Sequence, residues 1–241
     1  LEENDIISGV LIFNLDYGLN QIFCGLYNKA TLALHRFILP SEFFNHLIND
    51  EVTVLALMPV NISQMFEDNS HRIPSAELFN GLKTITSSGG NVTAKMVKDC
   101  KKTFRQADFY SMHGLTEAFR STYLDPSQIQ IRPDSIGKAI PDVELYVINA
   151  EGKECAAREV GELIHRGGYI YRGFWNAPDQ NALRFKSVEI LKDVINLEGQ
   201  LTDEVVVATG DYVYKDEEGY LYFISRHDDM IKTRGFRVSP Y

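Results

Sequence analysis

The sequence predicts an α/β fold: a mostly parallel sheet with flanking helices, followed by a smaller antiparallel, β-barrel-like subdomain. Two observations carry this. Through the first half, short apolar runs alternate with amphipathic helical ones, the pattern of right-handed strand–helix–strand crossovers. From about Ile136 that alternation gives way to paired β-rich runs separated by Glu-Gly turns.

Taken in order, "ATLALHRF" from Ala30 to Phe37 reads as a strand. "PSEFFNHLINDE" follows as a helix, with Pro40 and Ser41 at its start and Phe43, Phe44, Leu47 and Ile48 on one face. "VTVLALM" is a buried strand, "PVNISQMFED" a helix, and "LKTITSS" a strand ending in Ser88-Gly89-Gly90. "TAKMVKDCKKTF" is a helix capped by Thr93, and "ADFYSM" the next strand. In the second half, "VELYVINAEGKECAAREVGELIHRG" gives strand, turn and strand about Glu151-Gly152, with Glu162 supporting the hairpin. "VVVATGDYVYKDEEGYLYFIS" repeats this about Glu218-Gly219. "GFWNAPDQNALRF" reads as a packed corner around the one Trp, then a helix, and "KSVEILKDVINLEGQLTDE" as a mobile insertion without periodicity. The expected organisation is an α/β part over residues 1–135, a β-rich subdomain over 136–225, and a hinge with the start of a further domain over 226–241.

Composition narrows the partners. The formal net charge of −9 over 241 residues argues against nucleic acid, whose phosphates require clustered Lys and Arg. The basic run "KMVKDCKKTFR" reads as a solvated helix face. No apolar run approaches the roughly 18 residues of a membrane span. The acidic opening Leu1-Glu2-Glu3 does not read as a signal peptide. Cys24, Cys100 and Cys155 are widely spaced, which favours structural thiols and a cytoplasmic location over a disulfide frame or zinc site. The histidines lack the His-Glu-x-x-His spacing, and His227-Asp228-Asp229 does not read as a metal site, since adjacent side chains point apart.

Ligands of parallel sheets bind at the carboxyl ends of the strands. Two strands here end in polar glycine turns, Ser88-Gly89-Gly90-Asn91 and His113-Gly114-Leu115-Thr116-Glu117, and adjacent strands would set both on one rim. Glycines let backbone approach a planar group closely. The second turn offers an aromatic face, a hydroxyl and a metal-binding carboxylate, although it also reads as a strand-to-helix turn with Thr116 as N-cap. "ATGD" puts Asp211 after a strand and a glycine, suited to accepting hydrogen bonds from a ribose diol. "ISRHDDMIKTRGFRVSP" adds Arg226 and Lys232.

With these segments together, the chain resembles the AMP-forming acyl-adenylating superfamily of acyl-CoA synthetases, peptide-synthetase adenylation domains and luciferases. "GLTE", "GELIHRG…GFWNAPDQNALRF", "TGD" and "SRHDDMIKTRGFRVSP" carry the resemblance, which runs nearly end to end. It looks closest to the acyl-CoA ligases of the exosortase A system on "NLDYGLNQIF", "GLTEAFRSTYLDP", "RPDSIGKAIP" and "DDMIKTRGFRVSP".

The resemblance implies MgATP-dependent conversion of a small carboxylic acid to acyl-AMP, then transfer to a thiol, either CoA or the phosphopantetheine of an acyl carrier protein. By the same resemblance, Ser88, Gly89, Gly90 and Asn91 border the adenine and acyl pocket. His113 stacks on adenine where the family usually has Tyr or Trp, with Gly114 and Leu115 beside it. Thr116 contacts the α-phosphate and Glu117 holds Mg²⁺. Asp211 and Arg226 hold the ribose, Asp228 is the hinge, and Lys232 approaches the phosphate. Asp16, with Tyr17, lines the acyl pocket and selects an amine-bearing acid, or else Asp16 caps the helix beginning near Gly18.

The family's phosphate loop would lie upstream of Leu1, and its C-terminal catalytic lysine beyond Tyr241. The expectation is therefore a central piece of a larger enzyme, inactive alone and prone to self-association. Amino-acid adenylation for a carrier protein and a non-catalytic nucleotide-binding or interaction module stand as alternatives.

Overall fold

The computed structural model describes residues 1–67, 72–199 and 203–226, with the backbone of the strands Ile231–Thr233 and Phe236–Val238. These fall into two compact units. One gathers Leu1–Ser111 with Asp125–Asp134; the other gathers Met112–Leu124 with Ser135–Thr233.

The first unit is a parallel sheet. Its strands are β1 (Ile6–Gly9), β2 (Thr31–Leu34), β3 (Val54–Leu57), β4 (Thr84–Ser87) and the first half of β5 (Asp108–Leu115), in the order β2-β1-β3-β4-β5. Every pairing among them is parallel. Helices α1 (Asp16–Asn28), α2 (Pro40–Asn49), α3 (Pro59–Glu67) and α4 (Ala94–Thr103) supply the crossovers. Pro40 opens α2 at a position where the missing N–H is no loss. Thr93 accepts a hydrogen bond from the Met96 N–H and caps α4, as its sequence context requires. Phe43, Phe44, Phe104 and Phe109 are fully buried, and the Phe79 and Phe104 rings meet edge-on at 5.0 Å. The strand β1 was not legible: four residues, "IISG", are too few to display a period.

The chain passes into the second unit within β5. There β6 (Ala118–Leu124) lies beside β5 and pairs antiparallel with the short β7 (Lys138–Ala139). The strands β8 (Val143–Ile148), β9 (Gly161–Gly167), β10 (Phe185–Ser187), β11 (Val205–Lys215) and β12 (Leu221–Arg226) form an antiparallel sheet. Its order is β10-β11-β9-β8, with β12 also paired to β11. The helix α5 (Pro178–Arg184) precedes β10, and β13 (Ile231–Thr233) pairs with β14 (Phe236–Val238). No helix among the described residues is long and apolar enough to cross a membrane.

Three expectations are corrected here. The turn after β5 leads to a strand rather than a helix, because Thr116-Glu117 is a two-residue connection from Leu115 to Ala118. The "KSVEIL" segment is ordered by burial: Val188 and Leu191 lie in a core cluster with Ile164, Val206 and Ala208, against Ile195 and Leu197. Trp175 does not fill the corner preceding α5, since it is 98% exposed. The Asn181 side chain does that work, accepting from the Phe174 N–H at 2.6 Å and donating to the Phe174 carbonyl at 2.9 Å.

Candidate active site

In the first unit, the turn after β4 carries the glycines. Gly89 has φ +84°, a left-handed conformation that favours glycine, and a Cβ on Gly90 would sit 3.2 Å from Pro59 Cγ at the start of α3. Ser88 is buried, whereas Gly89, Gly90 and Asn91 are exposed. Before them, the fully buried Ser87 hydroxyl has no hydrogen-bond partner among the described residues. A buried hydroxyl left so is a candidate ligand contact. Asp16 opens α1 with its Oδ1 accepting from the Tyr17 N–H at 2.7 Å. The Tyr17 hydroxyl reaches Thr86 Oγ1 on β4 at 2.6 Å. Asp16 and Tyr17 are thus tied to the strand that ends in the glycine turn.

In the second unit, the structure brings together His113, Asp211 and Arg226. The 1% exposed Asp211 carboxylate lies 3.0 Å from His113 Nε2 and 3.1 Å from Arg226 Nε. His113 sits on β5, whereas Asp211 and Arg226 are register partners across β11 and β12. The Asp211 N–H donates to Thr209 Oγ1, which in turn donates to the Leu163 carbonyl, so the carboxylate is fixed at its own backbone. A carboxylate has about four acceptor sites, and pairing is what makes its burial tolerable. The His113 ring also meets Phe223, with centroids 6.0 Å apart.

Glycine is required twice around this cluster. A Cβ on Gly114 would lie 2.8 Å from the Arg120 backbone N, and Arg120 itself has φ +63°. On Gly210, at φ +69°, a Cβ would fall 2.0 Å from Arg184 Nη1. That opening lets Arg184 donate to the Thr209 carbonyl at 2.8 Å and place Nε 3.9 Å from Glu117 Oε1. The Gly210 N–H donates to Glu162 Oε1 at 2.9 Å, which gives Glu162 its structural task. Leu115 is buried and Thr116 exposed in the turn that Glu117 shares. Arg184 and Thr209 escaped the sequence reading, although both lie within segments that carried the resemblance. Asp228 lies outside the described residues. Lys232 lies on the β13 backbone with its side chain outside them.

Glu117 is a hard oxygen donor, and one carboxylate completed by phosphate oxygens and water is a combination that suits Mg²⁺. The thiols are placed for structure. Burial pushes the Cys100 thiol well above its ordinary range and raises Cys155 as well, and none of the three cysteines is in a disulfide.

The described site is thus a glycine turn at the rim of a parallel sheet and, later in the chain, a buried Asp–Arg pair on an antiparallel sheet. Residues 1–175 match the family model described as AMP-binding enzyme, and the chain belongs to that family. It is 26% identical over 239 residues to indoleacetate–CoA ligase of Aromatoleum aromaticum, covering 99% of this chain and 42% of that protein. It is 28% identical over 204 residues to malpinin synthetase of Mortierella alpina, covering 83% of this chain and 2% of that one.

Among solved structures, o-succinylbenzoate CoA synthetase from Bacillus subtilis in complex with its acyl-adenylate intermediate shares the fold. The TM-score is 0.72 and the identity 23%, over 100% of this chain and 44% of that one. The crystal structure of IdnL1 gives a TM-score of 0.84 at 23% identity, over 99% of this chain and 48% of that one. The chain thus spans less than half the length of these relatives.

Proposed function

We propose that this chain supplies the nucleotide-holding part of an ATP-dependent acid–thiol ligase. In the first half-reaction a substrate carboxylate oxygen attacks the α-phosphorus of ATP. The bond to the bridging oxygen breaks, and pyrophosphate leaves from acyl-AMP. In the second, a thiolate attacks the acyl carbon and AMP leaves, giving a thioester. The observation that carries this reading is the buried Asp211 carboxylate, organised by Arg226 and His113 within reach of each other on three strands.

Asp211 and Arg226 would hold the ribose, and the His113 ring would face the adenine. Ser88, Gly89, Gly90 and Asn91 would border the base and acyl group. Thr116 and Glu117 would meet the α-phosphate and Mg²⁺, which when bound neutralises phosphate charge. Lys232 would approach the phosphate and Asp228 would serve as hinge. Catalysis of this kind is positioning and charge stabilisation rather than covalent work by the protein.

The acceptor is CoA or carrier-bound pantetheine, and the resemblance to exosortase-associated ligases supports the acyl-CoA form. A reading as amino-acid adenylation is favoured by Asp16, half-buried beside Tyr17, since a carboxylate beside an aliphatic tail would be costly. The odd number and wide spacing of Cys24, Cys100 and Cys155 support a reducing, cytoplasmic setting.

The test is ATP–pyrophosphate exchange by the full-length protein over a panel of aliphatic, aromatic and amino acids. Exchange driven by one class supports the reading and names the substrate. AMP binding without exchange for any acid would leave a nucleotide-binding module instead. Asp16→Ala should change the acid preference; an unchanged preference removes Asp16 from the acyl pocket.

A further inference from the structure

We propose that His35, His46 and Asp50 form a binding site for a divalent first-row transition metal, Zn²⁺ above all, separate from the nucleotide-holding residues. His35 directly follows the carboxyl end of β2, at Leu34, while His46 and Asp50 belong to the last turn and C-cap of α2. Positions i and i+4 lie on one face of a helix, so His46 and Asp50 project together. The loop from β2 to α2 then folds back to bring His35 against them.

The three side chains offer one ligand atom each, all within 4.8 Å of one another. His35 Nε2 is 2.7 Å from Asp50 Oδ2. The His35 and His46 rings are stacked, with centroids 5.3 Å apart and planes 20° apart. A hydrogen bond between His35 and Asp50 explains two of these residues. It does not explain the second imidazole brought alongside. Three ligands at about 2.0–2.2 Å from a tetrahedral Zn²⁺ are separated by roughly 3.3 Å, so small rotations about the side-chain bonds convert the cluster into a coordination set.

The outer contacts are those of a metal-binding histidine. His35 Nδ1 is 2.8 Å from Ser8 Oγ, a fully buried hydroxyl on β1, and the His35 ring is edge-on to Phe43 at 6.1 Å. A ligating imidazole has its other nitrogen engaged in this way, which fixes ring orientation and tautomer. Two imidazoles and one carboxylate suit Zn²⁺ and its neighbours, whereas Mg²⁺ and Ca²⁺ prefer all-oxygen sites. His46 and Asp50 are exposed, which gives the ion an entry path and leaves a fourth position for water. The ion would tie the edge strand β2 to α2.

The test is titration of the full chain with Co²⁺ and Zn²⁺, with Mg²⁺ as control, alongside His46→Ala and Asp50→Asn. The expected result is one Co²⁺ per chain with visible bands of nitrogen and oxygen ligation, displaced by Zn²⁺ and untouched by Mg²⁺. Zn²⁺ should raise the thermal midpoint, and a chelator should reverse the rise. His46 is exposed, so His46→Ala should fold normally while losing at least ten-fold in affinity, and Asp50→Asn should do the same with a side chain of equal shape. Affinity within two-fold of wild type in both variants, or a thiolate charge-transfer band placing the ion on cysteine, would overturn the site.

Discussion

A buried carboxylate is tolerable only when cations or donors surround it, and Asp211 meets that requirement. Its position between His113 Nε2 and Arg226 Nε fixes the carboxylate, as the proposed ribose contact would require. Glu117 is set differently, with Arg184 Nε at 3.9 Å and a place in the turn after β5. The two acidic residues should therefore fail separately. Asp211→Asn should weaken AMP binding by about 1.5–3 kcal/mol, the range for hydrogen bonds to a charged group. Glu117→Gln should leave AMP affinity near wild type and impair Mg²⁺-dependent pyrophosphate exchange in the full-length protein. Calorimetric titration with AMP separates them, and equal losses would refute the division.

His165 gives a second residue-scale prediction. Its Nε2 faces the Gly168 carbonyl at 2.9 Å and must carry the proton, so Nδ1 accepts from Ser121 at 3.0 Å. That is a fully satisfied neutral ring, and burial holds its pKa below the ordinary value. The unfolded chain titrates near about 6.5, above the folded form. The stabilisation is therefore complete above about pH 6.5 and is lost as pH falls below it toward the lowered folded value, because the unfolded state then binds more protons. Urea midpoints should fall between about pH 7.5 and about pH 5.5. In His165→Gln that fall should be shallower; an identical slope would show that His165 contributes nothing to it.

At the scale of elements, helices α2 to α5 and the parallel strands β2 to β5 were legible because their signals are local. The Thr93 cap, the Pro40 start and the apolar face of Phe43, Phe44 and Leu47 each announce themselves within one or two turns. The strand β6 was not, because "AFRSTYL" follows a turn signal that also opens helices. What makes it a strand is the close passage of its backbone past Gly114. Gly114→Ala puts a methyl group 2.8 Å from the Arg120 N, where backbone has little room to give, and should cost about 1–3 kcal/mol. Thr93→Ala removes one capping bond and should cost about 1 kcal/mol. Denaturant unfolding of both variants should rank Gly114→Ala as the more damaging. The reverse order would mean that β5 and β6 separate easily.

At the scale of the whole molecule, α1 turns most of its large apolar residues outward. Tyr17, Gly18, Gln21 and Gly25 are buried, while Leu19, Phe23, Leu26 and Tyr27 form an exposed stripe at helical spacing. The edge strand β2 adds exposed Leu34. Apolar stripes and unpaired edges of this kind promote association. The isolated chain should therefore self-associate in a concentration-dependent way, and Leu26→Lys with Tyr27→Lys should reduce it. Sedimentation velocity decides the matter: one monomeric species at every concentration would refute it.

The sequence by itself determined the strand–helix alternation from β2 to β5, the glycine turn after β4, and the family to which the residues point. Those features rest on periodicity, capping and turn chemistry, which act over a few residues. Only the tertiary structure decided that His113 meets Asp211 across 98 positions, and that Arg184 enters the space left by Gly210. It also decided that Asn181 rather than Trp175 closes the corner before α5, and that His35 is set against His46 and Asp50. Each of these depends on how distant segments close upon one another. Local propensity carries no record of closure, because which partner a side chain finds is fixed only when strand register and helix docking are complete.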